Sequence, residues 1–276
     1  PHFLYVFIAY QICISKKIKK TYTIQEMLEV IFLSIVQGVT EFLPVSSSAH
    51  LVLVSNFFNL ENQNLKVDIS LHTGSLLAII FFYKNDFLNI RKNKDFYYKL
   101  IIATIPTLVV GYLLVKFNLI EYLRNYETIG WMTILFGFVL YLADKSKINK
   151  KIKTNFNFKS AIIIGMFQIL SLIPGVSRSG ITISAGRLLN YDREESAKIS
   201  FLLSVPTLIA VTFFNIFSIY EINNFHFSKL NFFAIFLSFI FSFVTIKYFF
   251  KFIKEYNLNI FVFYRIVLGI IILFLI

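Results

Sequence analysis

The stretch QGVTEFLPVSSSAH, residues 37–50, decides the fold. It sets a carboxylate (Glu41), three consecutive hydroxyls (Ser46, Ser47, Ser48) and an imidazole (His50) inside a chain that is otherwise a run of membrane-length apolar segments. Ionisable groups at membrane depth are costly, so they face a protein interior or a wet cavity and mark a site. Residues 26–42 read as a helix on which Gln37 and Glu41, four apart, share one face. Pro44 stops that helix and biases Leu43 toward extended backbone. A second helix with Ser46 as its N-cap would turn the backbone N–H groups of Ser47, Ser48 and Ala49, and the positive end of the helix dipole, toward an anion. Ser47 and His50, three apart, then place a hydroxyl and a candidate base on one face within reach of that anion.

Working outward, the whole chain of 276 residues is 57% hydrophobic and 15% charged, with 34 Phe, which is more apolar surface than a soluble domain of this size can bury. Its mean hydropathy is +0.70. The reading is an all-α polytopic membrane protein. A net charge of +12 invites a nucleic-acid partner, but the basic residues cluster in short loops between apolar segments, as they do in membrane proteins, and that partner is excluded. The single cysteine, Cys13, excludes an internal disulfide and a cysteine metal cage.

The apolar run 1–14 is short for a span and is followed by KKIKK, so residues 1–25 read as a disordered or interfacial N-terminal extension, either upstream of a natural start at Met27 or part of a longer gene product. Short segments 26–42 and 47–59 precede spans 68–83, 97–115 and 128–144. After a basic linker, 145–157, the plan recurs with short segments 158–173 and 178–190 and spans 196–218, 231–250 and 259–276. Sliding Gln37 onto Gln168 lays Val45, Ser46, Ser47 and Ser48 over Val176, Ser177, Arg178 and Ser179, with a proline just before each valine. The expectation is two repeats, 26–144 and 158–276, each a re-entrant helix hairpin plus three spans, about six spans in all. Lys and Arg concentrate in the loops 84–99, 144–159, 187–198 and 247–254, whereas the opposite side holds Lys66, Lys116, Arg124 and Lys229 besides the N-terminal extension. The first side is then cytoplasmic, the termini and the mouth of the first hairpin face outward, and the repeats have inverted topology.

The second motif, PGVSRSGIT at residues 174–182, offers Gly175 for a tight backbone and Ser177 as the cap of a helix beginning near Arg178. Two helix N-termini, a guanidinium and several hydroxyls converging at the midplane suit an oxyanion with several oxygens, most simply phosphate. Together QGVTEFLPVSSSAHL and PGVSRSGITI resemble the two signature motifs of the bacterial undecaprenyl-diphosphatases, the bacitracin-resistance membrane phosphatases, and the resemblance runs from about Met27 onward. It implies removal of the terminal phosphate of undecaprenyl diphosphate, giving the carrier lipid for peptidoglycan synthesis, and with it bacitracin resistance. It implies a divalent cation (Mg²⁺ or Ca²⁺), an inverted-repeat fold in the bacterial inner membrane and an active site opening to the outer face. The partners it implies are a polyprenyl diphosphate and membrane lipids; a second copy of the chain is allowed.

By this resemblance Glu41, Ser47, His50 and Arg178 are catalytic, with Glu41 also the metal ligand, and Gln37, Ser46, Ser48, Gly175, Ser177 and Ser179 contact substrate. Position 37 is often Glu in the family and is Gln here, so a metal held by two carboxylates is in question. Ala49 stands where some members have Gly. Ser47 as nucleophile, Ser47 as the holder of an attacking water, and His50 as base or nucleophile all remain open. Of the other polar residues, His72 reads as structural, though near enough to approach the site. Asp144 and Arg193 sit at cytoplasmic ends, and Arg265, inside the last span, either snorkels or pairs internally. The rival class is a polyprenyl-phosphate or anion flippase of similar architecture, which needs charge complementarity but no nucleophile.

Overall fold

The computed structural model describes residues 23–58, 65–148, 150–221 and 228–274; of the expected N-terminal extension, residues 1–22 lie outside these, while 23–25 belong to the cap and first turn of the first helix. The described chain is helical, with no β-strand. Its main helices are α1 (Ile24–Thr40), α2 (Ser47–Phe58), α3 (Leu65–Phe82), α4 (Lys94–Lys116), α5 (Tyr126–Asp144), α6 (Phe158–Ile169), α7 (Arg178–Leu188), α8 (Arg193–Glu221), α9 (Lys229–Glu255) and α10 (Asn259–Phe274). Four of them, α4, α5, α8 and α9, are long and apolar enough to cross a membrane. Helix starts follow side-chain chemistry: Thr23 and Glu26 close a capping box on α1, and Asn125 and Asn157 accept the Thr128 and Ser160 amides at 2.7 and 2.9 Å. The short segment expected over 158–173 ends its α-helix at Ile169 and finishes as a 3₁₀ turn, Leu170–Leu172, before Pro174.

The distribution of polarity is that of a membrane protein. Phe213 and Phe263 are each 70% exposed, and Trp131, Phe232 and Phe236 also face outward, whereas Ser34, Ser75, Thr133, Ser238 and Ser242 are fully buried. A chain in water would gain by reversing that arrangement, while one in lipid gains nothing from hiding Phe and uses buried hydroxyls to join helices. The Ser75 hydroxyl, for example, hydrogen-bonds Ser238 and Ser242 between α3 and α9.

The two halves interlock. Helix α1 lies on α9 and α6 lies on α4, so each half's first helix packs on the other half. Small residues permit both approaches: a Cβ on Gly38 would stand 2.5 Å from the Phe241 Cβ, and one on Gly165 would collide with the Ala103 carbonyl. α5 packs against α10, and α3 against α8. Phe42, fully buried, packs with its ring 5.0 Å from that of Phe201 of α8, the two rings tilted by 59°, and so pins the chain beside Glu41.

Candidate active site

Both helix breaks are built alike. After α1 the chain turns through residues 41–45, and Ser46 takes φ 75° before α2; after α6 it turns through Gly175 at φ 95°, and Ser177 takes φ 71° before α7. Left-handed backbone is costly for serine, on the order of 1 kcal/mol or more, and persists only where the surroundings impose it. Much of that imposition comes from Arg265. It is fully buried, and its guanidinium donates to the carbonyls of Pro44 (3.2 Å), Val176 (3.0 Å), Gly175 (2.8 Å) and Thr133 (3.1 Å). Arg265 therefore neither snorkels nor pairs with an acid; it joins the two loops through their carbonyl oxygens. Ser179 adds a second tie, donating to the Leu43 carbonyl at 2.7 Å.

The loops so joined converge on Glu41. Its Oε1 accepts from Arg178 Nη2 at 2.6 Å, and its Oε2 accepts from the Ser47 hydroxyl at 2.6 Å and from the Gln37 amide at 2.9 Å. Ser47 and Arg178 are the first residues of α2 and α7, so the buried carboxylate is gripped by the N-termini of both helices. The same Gln37 nitrogen lies 2.8 Å from His72 Nδ1, which brings a histidine read as structural to the edge of the site.

The other expected residues divide. Ser177 caps α7 by accepting from the Gly180 amide at 3.1 Å. Ser46 does not cap α2: its hydroxyl is buried without a hydrogen-bond partner, as is Arg178 Nη1. The Ser48 side chain lies outside the described residues. His50 turns away from Ser47. Its Nδ1 donates to the Ser46 carbonyl at 2.7 Å, leaving Nε2 of the neutral ring to accept from the Tyr264 hydroxyl at 2.5 Å, with the two rings stacked. Ser47 finds its acceptor in Glu41 instead. Asp144 and Arg193 lie in a separate cluster, where Arg193 grips Asp144 at 2.7 and 2.9 Å and the buried Arg187 donates to the Asp144, Ser146 and Tyr191 carbonyls.

Among the described residues no three or more His, Cys, Asp and Glu side chains gather as a metal cage. The oxygen donors are the Glu41 carboxylate and Gln37 Oε1, which is buried and unpartnered. With the Gln37 nitrogen turned to Glu41, the carboxylate alone is left to hold a hard divalent cation, which would take its remaining ligands from phosphate oxygens and water.

Residues 30–271 match the family model described as bacitracin resistance protein BacA. The chain belongs to the bacitracin resistance protein BacA family. Within the BacA family it is similar to the undecaprenyl-diphosphatase of Pelagibacter ubique, with 46% identity over 256 residues covering 91% of this chain and 98% of that one. It is 36% identical to the undecaprenyl-diphosphatase of Jannaschia sp., over 87% of this chain and 95% of the relative, and 37% identical to undecaprenyl-diphosphatase 3 of Bacillus cereus, over 90% and 96%. The BacA match spans both motifs, residues 37–50 and 174–182. Tyr264 was missed, and the fork of Arg265 was underread; a Tyr–Arg pair in the middle of an apolar span was the available signal.

Proposed function

We propose that this chain is an undecaprenyl-diphosphatase, a membrane phosphatase that hydrolyses undecaprenyl diphosphate to undecaprenyl phosphate and inorganic phosphate. In doing so it recycles the carrier lipid for peptidoglycan and supports bacitracin resistance. The observation that carries the reading is Glu41 held between the Ser47 hydroxyl and the Arg178 guanidinium, with Arg178 Nη1 and the Ser46 hydroxyl left over as donors. A flippase for the same lipid would need the charge complementarity but has no use for a hydroxyl aimed at a carboxylate.

In the proposed reaction the diphosphate takes up Arg178 Nη1, the Ser46 hydroxyl and the N-terminal amides of α2 and α7, all of which favour charge on the transferred phosphoryl group. The Ser47 oxygen attacks the terminal phosphorus and its proton passes to Glu41 Oε2. The bond from that phosphorus to the bridging oxygen breaks, and the electron pair leaves with undecaprenyl phosphate. Water then cleaves the serine phosphate, Glu41 taking the water's proton while the serine oxygen recovers its own. Gly175, Ser177 and Ser179 shape the second loop around the anion. A Mg²⁺ or Ca²⁺ held by Glu41 would offset phosphate charge when bound. His50, bonded to Ser46 and Tyr264, holds the α2 N-terminus.

The same reading places the site in the bacterial inner membrane, opening to the outer face, between repeats 26–144 and 158–276 joined by the cytoplasmic linker 145–157. Each repeat begins with a re-entrant hairpin, and the two are inverted with respect to each other. The mutual exchange of α1 and α6, each onto the other half, and the matched turns at Ser46 and Ser177 support this topology. The test is phosphate release from a prenyl diphosphate by purified protein in detergent, with and without divalent cation. Wild type should release phosphate, and Glu41→Gln and Ser47→Ala should not. Lipid movement in vesicles without phosphate release would establish the carrier instead.

A further inference from the structure

Gln37 is fully buried, yet it faces two acceptors through a single nitrogen. One N–H of its Nε2 goes to Glu41 Oε2 at 2.9 Å and the other to His72 Nδ1 at 2.8 Å, while Oε1 is unpartnered. A carboxylate can only accept, so the amide must turn its nitrogen, not its oxygen, toward Glu41. The second N–H on that nitrogen then needs an acceptor of its own, and the lone pair of His72 Nδ1 supplies it.

Without that lone pair the second N–H is buried with no acceptor, and only Glu41 holds the amide in place. Turned over, Oε1 would stand against Glu41 Oε2, repelling the oxygen that receives the Ser47 hydroxyl. Gln168, the counterpart of Gln37 in the second half, makes the contrast: its amide reaches the hydroxyls of Thr107 and Thr207 at 3.2 and 3.3 Å. Those hydroxyls give their own protons to the Gly165 and Leu203 carbonyls and so accept from the amide, but a hydroxyl can rotate to donate instead, which a carboxylate cannot do.

We infer that His72 is a positioning residue for the phosphatase reaction: through Gln37 it sets the Glu41 oxygen that receives the Ser47 proton. The inference rests on the proposed role of Glu41. It requires a neutral His72 with its proton on Nε2, and it explains why a chain with Gln rather than a second carboxylate at position 37 places a histidine across from it.

The experiment uses the full chain in detergent with farnesyl diphosphate as probe, comparing wild type, His72→Ala, His72→Asn, Gln37→Ala and the double variant His72→Ala/Gln37→Ala. Each variant is first checked for monodispersity and melting temperature. Loss of the acceptor in His72→Ala should lower kcat by on the order of 10-fold with KM little changed. His72→Asn, whose side-chain oxygen stands near the position of Nδ1, should recover most of that loss. The double variant should be no slower than Gln37→Ala alone, because His72 acts only through Gln37. The inference is overturned if His72→Asn, folded like wild type, is as slow as His72→Ala, if His72→Ala turns over like wild type, or if the two losses add. Wild-type protein that releases no phosphate would overturn the phosphatase reading itself, a result distinct from all of these.

Discussion

The loop between α1 and α2 and the loop between α6 and α7 have the same bend and different chemistry. Each brings a serine to positive φ, Ser46 at 75° and Ser177 at 71°, one residue before a helix. In the second loop the polar atoms are spent on structure: Ser177 caps α7, and Ser179 ties the loop to the Leu43 carbonyl. In the first loop the corresponding Ser46 hydroxyl is unpartnered, and Ser47 points at a carboxylate. The counterpart of Ser47 is Arg178, so equivalent positions contribute a hydroxyl and a cation to opposite oxygens of Glu41. Two turns of the same shape supply a matched frame, and the difference at single positions sets a hydroxyl against one oxygen of Glu41 and a cation against the other.

The sharpest way to break that division is to remove the carboxylate on which both halves meet. Glu41→Gln should lower phosphate release by about 10³-fold or more, since it removes the acceptor of the Ser47 proton and the partner of Arg178 together. Phosphate-release assays decide it, and a loss under tenfold would mean the halves do not cooperate through Glu41. Arg178→Lys keeps a cation for Glu41 but lacks the spare Nη1 arm. Turnover should fall by roughly 10²-fold with the melting temperature close to wild type, and near-normal kcat would remove the arginine fork from the proposal.

The frame itself is tested at Arg265. Arg265→Met leaves the carbonyls of Pro44, Gly175 and Val176 without their donor and should destabilise the protein by about 3 kcal/mol or more, read as detergent-resolved unfolding. If both loops depend on it equally, protease protection should fall at residues 43–46 and 174–177 alike. The smallest effects should separate the two serines. Ser177→Ala should cost about 1 kcal/mol of stability as a lost cap, while Ser46→Ala should leave stability within about 0.5 kcal/mol of wild type and instead raise KM for a prenyl diphosphate. The opposite pattern would reverse the assignment of structural and substrate-binding roles.

Much of this was legible in the chain. Membrane-length apolar runs, prolines after Leu43 and Ile173, and the recurrence of a Val–Ser pair marked the ten main helices, with described ends up to five residues off and the short helices at 84–88, 119–123 and 152–155 unmarked, because hydropathy and backbone sterics act locally. Gln37 and Glu41 on one face followed from helical spacing. The partner of Ser47 did not: the three-residue spacing favoured His50, whereas the positive φ at Ser46 rotates the start of α2 so that Ser47 meets Glu41 and His50 meets Tyr264. His72 and Arg265 were visible as residues but not as members of the site, since each acts on a segment more than thirty positions away.

The sequence alone determined a helical membrane protein whose apolar runs are interrupted by two short polar motifs, because lipid compatibility and helix breaking depend on neighbours along the chain. Only the tertiary structure decided that one carboxylate from the first motif lies between Ser47 and Arg178, and that a buried arginine from the last helix joins both loops. Those pairings depend on how α1 is set against α9, α7 against α8 and α5, and α10 against α5, and hydrogen bonds of under 3 Å between segments so placed leave no trace in the spacing of residues.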